Sequence, residues 1–245
     1  MNQVLDRGVA SPLYKEVKRV LTQSLAEGEW RPGQALPSEA RLAQRYGVSI
    51  GTLRKAIDEL VAEGVVVRRQ GSGTYIAQHG ANRLMFHFFH VVPREGEKQY
   101  PRTATLAFRR GRAEAAEAVK LGIAAGDPVL RIRNLLSLAD KPVILDDLVL
   151  PQRLFPDLTE RILSARDNTI YHLYQARYGI NVLRTSERLS AALADAETAK
   201  LLNLRKGAPL LEISRVAFTY HSAPVELRRS LVDTTEHEYF SDIGK

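Results

Sequence analysis

The sequence predicts an α+β fold in two parts, an N-terminal helical unit and a C-terminal antiparallel sheet with flanking helices. Two observations predict it. From residue 12 to residue 64, apolar residues recur at three- and four-residue spacing in segments that end at glycines, which is the helical period. Beyond residue 84, extended segments alternate with short turns and helices, which favours hairpin-linked strands over the crossovers of a parallel sheet.

The composition is that of an ordinary globular protein and excludes several classes. Hydrophobic residues make up 44% and charged residues 26% of the 245 residues, which allows a sizeable core. The sequence contains no cysteine, so disulfides and thiolate metal sites are excluded. It has no apolar run of about 18 residues and no basic-then-apolar leader, so we expect a cytoplasmic protein with no membrane partner.

The net charge of +7 favours a polyanionic partner only weakly. Residues 1–80 carry +3 and residues 81–245 carry +4, so the basic residues are spread along the chain. Nucleic-acid binding therefore has to be predicted from the positions of individual cations.

Three helices are predicted in the N-terminal unit. The first carries an apolar stripe from Leu13 to Leu25 and ends near Gly28. Ser38 is a suitable N-cap for a second helix that Gly47 ends, and Ser49 is a suitable N-cap for a third. Two helices joined by a short turn with glycine have the spacing of a helix-turn-helix.

In a helix-turn-helix, the third helix lies in the major groove with its N-terminal residues nearest the base edges. The residues near that start are Ser49, Ile50, Gly51, Thr52, Arg54 and Lys55. Arg54 can bridge two acceptors of guanine or hold a phosphate, and Thr52 can donate to a phosphate. On the second helix, Ser38, Arg41 and Arg45 are expected to face the DNA backbone.

A hairpin with a basic tip follows the third helix. We expect strands over 65–69 and 74–77 around the tip Gln70-Gly71-Ser72-Gly73. The two glycines let backbone amides approach a phosphate or let a side chain enter the minor groove. Arg68 and Arg69 alone are more typical of a solvated face, but the whole series predicts a winged helix-turn-helix that binds double-stranded DNA.

Residues 12–77 resemble the winged helix of the GntR family. The resemblance lies in the stretches LYKEVK, EGEWRPGQALPSE, LAQRYGVS, TLRKAIDELVAEGVV and RRQGSGTYIA. It implies a bacterial dimeric transcription factor, usually a repressor, and we expect a homodimer on a palindromic operator. The DNA contacts that the resemblance implies are Ser38, Ser49, Thr52, Arg54, Arg68, Gln70, Gly71 and Gly73.

Two positions depart from the pattern of that family. The family usually has arginine at the position of Ala40, where Arg41 follows directly, and commonly has arginine at the position of Ile50. An isoleucine can make only an apolar contact with a base, such as the methyl group of thymine.

The C-terminal part is expected to start after a linker. We predict a DNA-binding domain over 1–77, a linker over 78–83 and a second domain over 84–245. In that domain we expect strands over 84–92, 103–109, 129–138, 143–150, 182–193, 210–220 and 225–232, and helices over 113–121, 158–163, 169–178 and 194–202.

Arg131 and Arg133 are candidates for binding an anion. They lie two residues apart on a predicted strand, so both side chains point to the same face. A planar guanidinium suits carboxylate or phosphate, and two neighbouring guanidinia repel each other unless an anion joins them. The alternative is that both line a solvated face or pair with Asp146, Glu187 or Glu226.

Residues 84–235 resemble a UTRA domain, the effector-binding half of the HutC subfamily, which has a chorismate-lyase-like fold. The resemblance lies in PVLRIRNLLSLADKPVILDDLVLP, RLFPDL, TIYHLYQARYGI and GAPLLEISRVAFTYHSAPVELRRSLV. It implies a dimer interface and a site for a small anionic metabolite such as a sugar phosphate or a carboxylate. Besides the two arginines, the residues it implies for that site are Thr103, Thr105, Asp146, Thr169, Tyr171 and Glu226.

An enzyme and a constitutive DNA-binding protein are the two alternative functions. The motifs GxSxG, GxxxxGK[ST] and HExxH are absent, so no catalytic residue is predicted and no cofactor is expected. His87 and His90 would point to opposite faces of a strand, so no metal site is predicted there. The second alternative is a constitutive dimeric DNA-binding protein whose C-terminal domain only dimerises.

Overall fold

A computed structural model describes residues 12–78, 88–166 and 169–241. The chain divides into two compact units, residues 1–79 and residues 80–245. The leader over 1–11, nearly all of the expected linker over 78–83, and the first part of the expected strand over 84–92 lie outside the described residues, as does His87.

The N-terminal unit consists of three helices and a hairpin. The helices are α1 (Leu13–Ala26), α2 (Glu39–Tyr46) and α3 (Ile50–Ala62), and the strands are β1 (Val66–Arg69) and β2 (Gly73–Ile76). Its core is formed by apolar residues from all three helices and both strands, including Leu21, Leu42, Leu53, Leu60 and Ile76. Leu13, expected in the apolar stripe of α1, is 42% exposed because it occupies the first position of the helix.

Local sequence fixes where α2 and α3 begin and where α2 ends. The Ser38 hydroxyl accepts the Arg41 amide at the start of α2, and the Ser49 hydroxyl accepts the Thr52 amide at the start of α3. Gly47 ends α2 with φ 63°, a left-handed conformation that favours glycine. These caps hold the two helices in the predicted helix-turn-helix.

The C-terminal unit is built on a six-stranded antiparallel sheet in the order β4-β5-β6-β9-β8-β7. Its strands are β4 (Arg102–Arg112), β5 (Pro128–Leu138), β6 (Lys141–Pro151), β7 (Arg184–Leu193), β8 (Pro209–Phe218) and β9 (Pro224–Val232). A separate pair is formed by β3 (Val91–Pro93) and β10 (His237–Tyr239). The antiparallel sheet confirms the predicted α+β class.

Short helices cover both faces of this sheet. The helices are α4 (Ala115–Leu121), α5 (Glu160–Ser164), α6 (Ile170–Tyr178) and α7 (Ala196–Leu201). Residues of α5 and α6 pack on one face against Leu130, Ile132 and Leu148. Residues of α4 and α7 pack on the other face in two smaller clusters. We refer to these as the α5/α6 face and the α4/α7 face.

The expected strand over 84–92 is wrong within the described residues. Residues 88–90 are not a strand, and pairing begins only at Val91. The physical reason lies in the hydrogen bonds of this segment, since the Phe88 carbonyl accepts the Arg215 guanidinium at 2.6 Å instead of a neighbouring strand. Phe88 packs edge-on against Tyr171, with ring centroids 5.4 Å apart, and its side chain is therefore part of the core.

Candidate functional site

The start of α3 presents a set of exposed polar groups. Ser49 and Thr52 face each other with their hydroxyl oxygens 2.9 Å apart, and the Ser49 oxygen also accepts the Thr52 amide at 3.1 Å. A hydroxyl that accepts one bond can still donate its own hydrogen, so these two groups remain able to bind phosphate. Ile50 lies beside them with 47% of its surface exposed.

Arg54 is held in place by an acidic neighbour from α2. Its Nε donates to Glu39 Oε2 at 3.0 Å, and its side chain is 60% exposed. The other Glu39 oxygen lies 3.4 Å from Arg68 of β1, which also contacts Asp58 at 2.5 Å. Because the pairs are exposed, they contribute little to stability, but they restrict where the two guanidinia can point.

The other basic residues expected to contact DNA differ in how far neighbouring residues already engage their side chains. Arg41 is exposed on α2, and the Lys55 ammonium lies 4.2 Å from the Tyr14 ring centroid. Arg45, which was expected to face the DNA backbone, is instead engaged with Glu29 and lies 5.5 Å from the Trp30 ring centroid. The Arg45 contact fastens the turn before α2 to the end of α2.

The hairpin tip has the conformation that its glycines predict. Gly71 has φ 71° and Gly73 has φ 113°, and nothing lies within 4 Å of a Cβ placed on either. Gln70 is exposed between them and the basic strand β1. A Cβ at Gly73 would therefore be opposed by backbone strain and not by a neighbour.

One concave surface of about 680 Å³, which we call the reading surface, is lined by part of this set: Ser38, Glu39, Ile50, Arg54, Arg68, Gln70 and Gly73. It joins the start of α2, the start of α3 and the hairpin, and both positions that depart from the family pattern, Ala40 and Ile50, line it. The reading surface is thus polar and basic at its edges, and it is apolar at Ala40 and Ile50, where the family pattern usually has arginine. This arrangement can clamp a phosphate backbone and place side chains against base edges.

The eight candidate effector residues do not form one site. Arg131 and Arg133 lie on the α4/α7 face of the sheet, whereas Asp146, Thr169, Tyr171 and Glu226 lie on the α5/α6 face. A bulge at Leu106 in β4 also separates Thr103 and Thr105, which oppose Leu136 and Asn134, from the strand's later residues. The predicted single site with two arginines at its centre is therefore corrected to two separate surfaces.

On the α4/α7 face, both candidate arginines already have carboxylate partners. Arg131 makes two hydrogen bonds to Glu117, at 2.6 and 2.8 Å. Arg133 makes two to Asp147, at 2.7 and 3.1 Å, and a third to Glu197 at 3.0 Å. They line an open cleft of about 730 Å³, but its arginines are neutralised by partners other than those considered from the sequence.

The Glu117 pairing also shows in the pKa values of the two groups. Burial acts to raise the pKa of Glu117, but the hydrogen bonds from Arg131 and from the Glu114 amide outweigh it, and the net pKa is lowered. The hydrogen bonds to Glu117 raise the pKa of Arg131. An anionic ligand would have to displace a carboxylate that is firmly ionised at neutral pH.

The α5/α6 face contains a smaller cavity of about 370 Å³, which we call the helix-side pocket. Of the candidates, Thr103, Asp146 and Thr169 line it. Thr105 lies beside it and donates to Asn134, a lining residue, at 3.0 Å. Phe88, Phe89, Tyr100 and Leu136 add apolar and aromatic walls. A pocket of mixed walls with a few convergent polar groups is the usual form of a small-molecule site.

Tyr171 and Glu226 belong to a buried network next to this pocket. Glu226 has no exposed surface and accepts the hydroxyls of Tyr171 at 3.1 Å and Tyr174 at 2.8 Å. Arg228 donates to both Glu226 oxygens, at 2.9 and 3.1 Å, and to Asp146 at 3.2 Å. Burial raises the pKa of Tyr171 to about 12, so its phenol remains a hydrogen-bond donor at neutral pH.

Sequence reasoning missed several polar residues that line the helix-side pocket, among them Asn134, Arg166, Arg215 and Arg228. A signal exists for two of them. Asn134 lies between Ile132 and Leu136, and Arg215 between Ile213 and Ala217, so both are polar at positions whose neighbours two residues away are buried. That pattern predicts a polar side chain on the core face of a strand. Arg166 and Arg228 have no comparable signal.

Two kinds of feature are absent from the residues that the structure describes, 12–78, 88–166 and 169–241. In them, none of the helices has the length and apolar character needed to cross a bilayer. In the same ranges, no group of three or more His, Asp or Glu side chains gathers closely enough to hold a metal ion.

Comparison with known proteins matches both units. Residues 13–76 match the family described as bacterial regulatory proteins, gntR family, and residues 96–238 match the UTRA domain. A relative from Escherichia coli K12, named a probable fructoselysine utilization operon transcriptional repressor, is 31% identical over 91% of this chain and 90% of its own length. The histidine utilization repressor of Klebsiella aerogenes is 28% identical over 85% of this chain and 86% of its own.

A solved structure agrees with the fold of the C-terminal unit. The ligand-binding domain of a GntR-family transcriptional regulator from Bordetella bronchiseptica superposes with a TM-score of 0.62 at 34% identity, covering 65% of this chain and 99% of that domain. The two family matches thus cover both the helix-turn-helix with its hairpin and the antiparallel sheet. The chain belongs to the GntR family of bacterial DNA-binding transcriptional regulators, in the HutC subfamily that carries a UTRA domain.

Proposed function

We propose that this protein is a homodimeric transcriptional repressor that a small anionic metabolite releases from a palindromic operator. The relatives from Escherichia coli and Klebsiella aerogenes support repression, since each is named as a repressor. A dimer supports a palindromic site because two copies of α3 would occupy half-sites about one helical turn apart.

The operator is bound by the reading surface and by the residues next to it on α2, α3 and the hairpin tip. Arg54 is the base-reading or phosphate-clamping residue, Ser49 and Thr52 donate to phosphates, and Ser38, Arg41 and Lys55 contact the backbone beside them. Arg68, Gln70, Gly71 and Gly73 bring the hairpin to the neighbouring groove. The exposed and oriented guanidinium of Arg54 supports this assignment.

The effector is bound in the helix-side pocket. The single observation that carries this proposal is that the pocket combines aromatic walls with buried charged groups, among them Asp146 and Arg215, in a cavity of about 370 Å³. Arg131 and Arg133, proposed from the sequence as anion ligands, support the effector site less well because Glu117 and Asp147 already occupy them.

The test begins with selecting an operator from a random DNA pool with the full chain. Operator affinity is then measured by fluorescence anisotropy while sugar phosphates, organic acids and amino acids are added, together with fructoselysine and histidine, which occur in the relatives' names. We expect one class of compound to weaken operator binding by about 5- to 150-fold. Arg54→Ala should weaken specific binding by at least about tenfold, whereas Arg19→Ala on α1, outside the reading surface, should not.

The competing function is constitutive DNA binding with a C-terminal unit that only dimerises. It predicts a specific footprint whose affinity no compound changes. That outcome would exclude metabolite control while leaving the assignment of the reading surface intact. If Arg54→Ala binds the selected operator as tightly as the unmodified chain, the assignment of Arg54 is wrong.

A further inference from the structure

The reading surface contains two arginines that share one carboxylate. Arg54 of α3 and Arg68 of β1 both contact Glu39, the first residue of α2. Ala40 and Ile50, which line the same surface at the starts of the two helices, carry no charge. How the two guanidinia are held therefore decides much of what this surface can recognise on DNA.

Glu39 holds the Arg54 guanidinium by one edge. Its Oε2 accepts Nε of Arg54 at 3.0 Å and lies 2.9 Å from Nη2. A guanidinium carries its N–H groups in one fixed plane, and this contact uses the edge formed by Nε and Nη2. The end of the fork, formed by Nη1 and the outer hydrogen of Nη2, is left for a ligand. Because guanine presents O6 and N7 side by side, that end has the geometry to bind both.

The second oxygen of Glu39 joins the hairpin to the same contact. Its Oε1 lies 3.4 Å from Nη2 of Arg68, and Nη1 of Arg68 lies 2.5 Å from Asp58, one helical turn after Arg54 on α3. Two carboxylates face two guanidinia, so these four side chains together carry no net charge. Exposed ion pairs add little to folding stability, so the consequence of this arrangement is expected in DNA binding.

A carboxylate next to an arginine acts differently on the two kinds of DNA contact. A phosphate carries a full negative charge, so Glu39 repels a phosphate that approaches Arg54 and competes with it for the guanidinium. A guanine edge is uncharged and can reach the end of the fork while Glu39 keeps its contact. Holding the guanidinium also reduces the entropy that a free arginine loses on binding. Glu39 thus weakens phosphate contact and favours contact with a base.

We propose that Glu39 is a positioning residue that makes Arg54 read a guanine instead of clamping a phosphate. This proposal rests on the proposed function, which allows either contact between Arg54 and the operator. It assigns to each operator half-site a guanine whose O6 and N7 face Arg54. It also makes Glu39, which acts through Arg54, a determinant of operator specificity.

The experiment removes one acceptor from each guanine in turn. Each guanine of the selected operator is replaced by 7-deazaguanine, which retains O6 but lacks N7, and binding of the full chain is measured by fluorescence anisotropy. We expect binding to weaken about three- to tenfold at one guanine per half-site, as for the loss of half of a bidentate contact. Arg54→Ala should be insensitive to the replacement at that guanine.

Glu39→Gln tests the positioning role. The amide has nearly the same shape without the negative charge, so Arg54 can turn to a phosphate. We expect the penalty for 7-deazaguanine to fall below about twofold and binding to DNA of random sequence to tighten by about threefold or more. For random DNA, the dependence of log affinity on log salt should steepen by about 0.9 per subunit, as for one more phosphate contact.

Three further variants separate positioning from a general change of charge. Glu39→Asp retains the carboxylate and should bind random DNA within about twofold of the unmodified chain. Glu63→Gln removes the same charge from an exposed pair with Lys18 outside the reading surface and should leave both measurements unchanged. In the Arg54→Ala background, Glu39→Gln should alter binding to random DNA less than about twofold, because Glu39 acts through Arg54. Circular dichroism checks that each variant is folded.

The outcomes separate this proposal from the proposed function. If no guanine is sensitive to 7-deazaguanine while Arg54→Ala still weakens operator binding, Arg54 clamps a phosphate and the proposal is overturned. It is also overturned if Glu39→Gln keeps the full guanine penalty or binds random DNA no more tightly than the unmodified chain. The proposed function stands in each of these cases. If the full chain selects no operator, the proposed function itself fails.

Discussion

Ile50 is an exposed apolar residue at the most informative position of the DNA-binding unit. It is 47% exposed at the first position of α3, beside Ser49 and Thr52, and it lines the reading surface. An arginine at this position would bridge acceptors on guanine, but an isoleucine can bind only the methyl group of a thymine. We therefore expect a thymine at the corresponding position of each operator half-site.

Removing that methyl group tests the expectation. Replacing each thymine of the selected operator in turn by deoxyuridine should weaken binding about two- to fivefold at one position per half-site, as expected for one buried methyl group. Ile50→Ala should bind the thymine and deoxyuridine operators equally. The control is Leu13→Ala, which shortens another exposed apolar side chain outside the reading surface. Equal sensitivity to deoxyuridine in Ile50→Ala would show that another residue makes the contact.

Individual residues also show what the sequence could predict about the sites. Ser38, Ser49 and the wing glycines lie where local rules place them, because caps and tight turns are decided within four residues. Arg131 and Arg133 share a face as their spacing requires. Their partners could not be predicted, because Glu117 and Glu197 come from helices that only the folded sheet brings close.

The element that joins the helix-side pocket to the core is α6. Tyr171 and Tyr174 of α6 are both completely buried, and both donate to Glu226 of β9. This polar contact fixes the helix against the centre of the sheet, and Arg228 balances the Glu226 charge. The start of α6, with Thr169 in the pocket wall, is thereby held at a defined distance from Asp146.

Removing Glu226 should release this helix. Glu226→Ala leaves Arg228 and two buried phenols without their acceptor, and we expect it to lower the free energy of unfolding by about 3–5 kcal/mol. Glu212→Ala is the control, because its pair with Arg229 is exposed and should be worth less than about 1 kcal/mol. Urea unfolding followed by circular dichroism measures both. A loss below about 1 kcal/mol for Glu226→Ala would mean that the network does not hold α6.

The succession of strands and helices along the chain and the antiparallel sheet followed from the sequence pattern, but three features of the elements did not. The bulge at Leu106 changes which residues of β4 point to the α5/α6 face and which to the α4/α7 face. A single inserted residue cannot be recognised from the alternation of apolar residues in the sequence. The strand β10 is only three residues long, too short to show a period. The prediction of a strand before Val91 is wrong because the aromatic residues of this segment pack into the core. Runs of aromatic residues occur both in strands and in irregular segments that pack in this way.

The whole chain combines a DNA-binding unit and a UTRA unit, and the metabolite control that we propose requires that they be coupled. Net charge contributes little to this conclusion, because the charge of +7 is shared between the two parts. Coupling between two ligand sites is reciprocal, so an effector that weakens operator binding must itself bind less tightly to the operator-bound protein. This reciprocal change in affinity distinguishes control through the pocket from the effect of a compound that weakens operator binding by binding to the DNA itself.

The most direct test measures the affinity of the strongest-binding compound for the full chain, with and without saturating operator, by calorimetry. We predict that the operator weakens binding of the compound by the same factor, about 5- to 150-fold, by which the compound weakens binding of the operator. Asp146→Asn should bind the operator normally and lose most of its response to the compound. Equal affinity of the compound for free and operator-bound protein would contradict control through the helix-side pocket and favour a constitutive DNA-binding dimer.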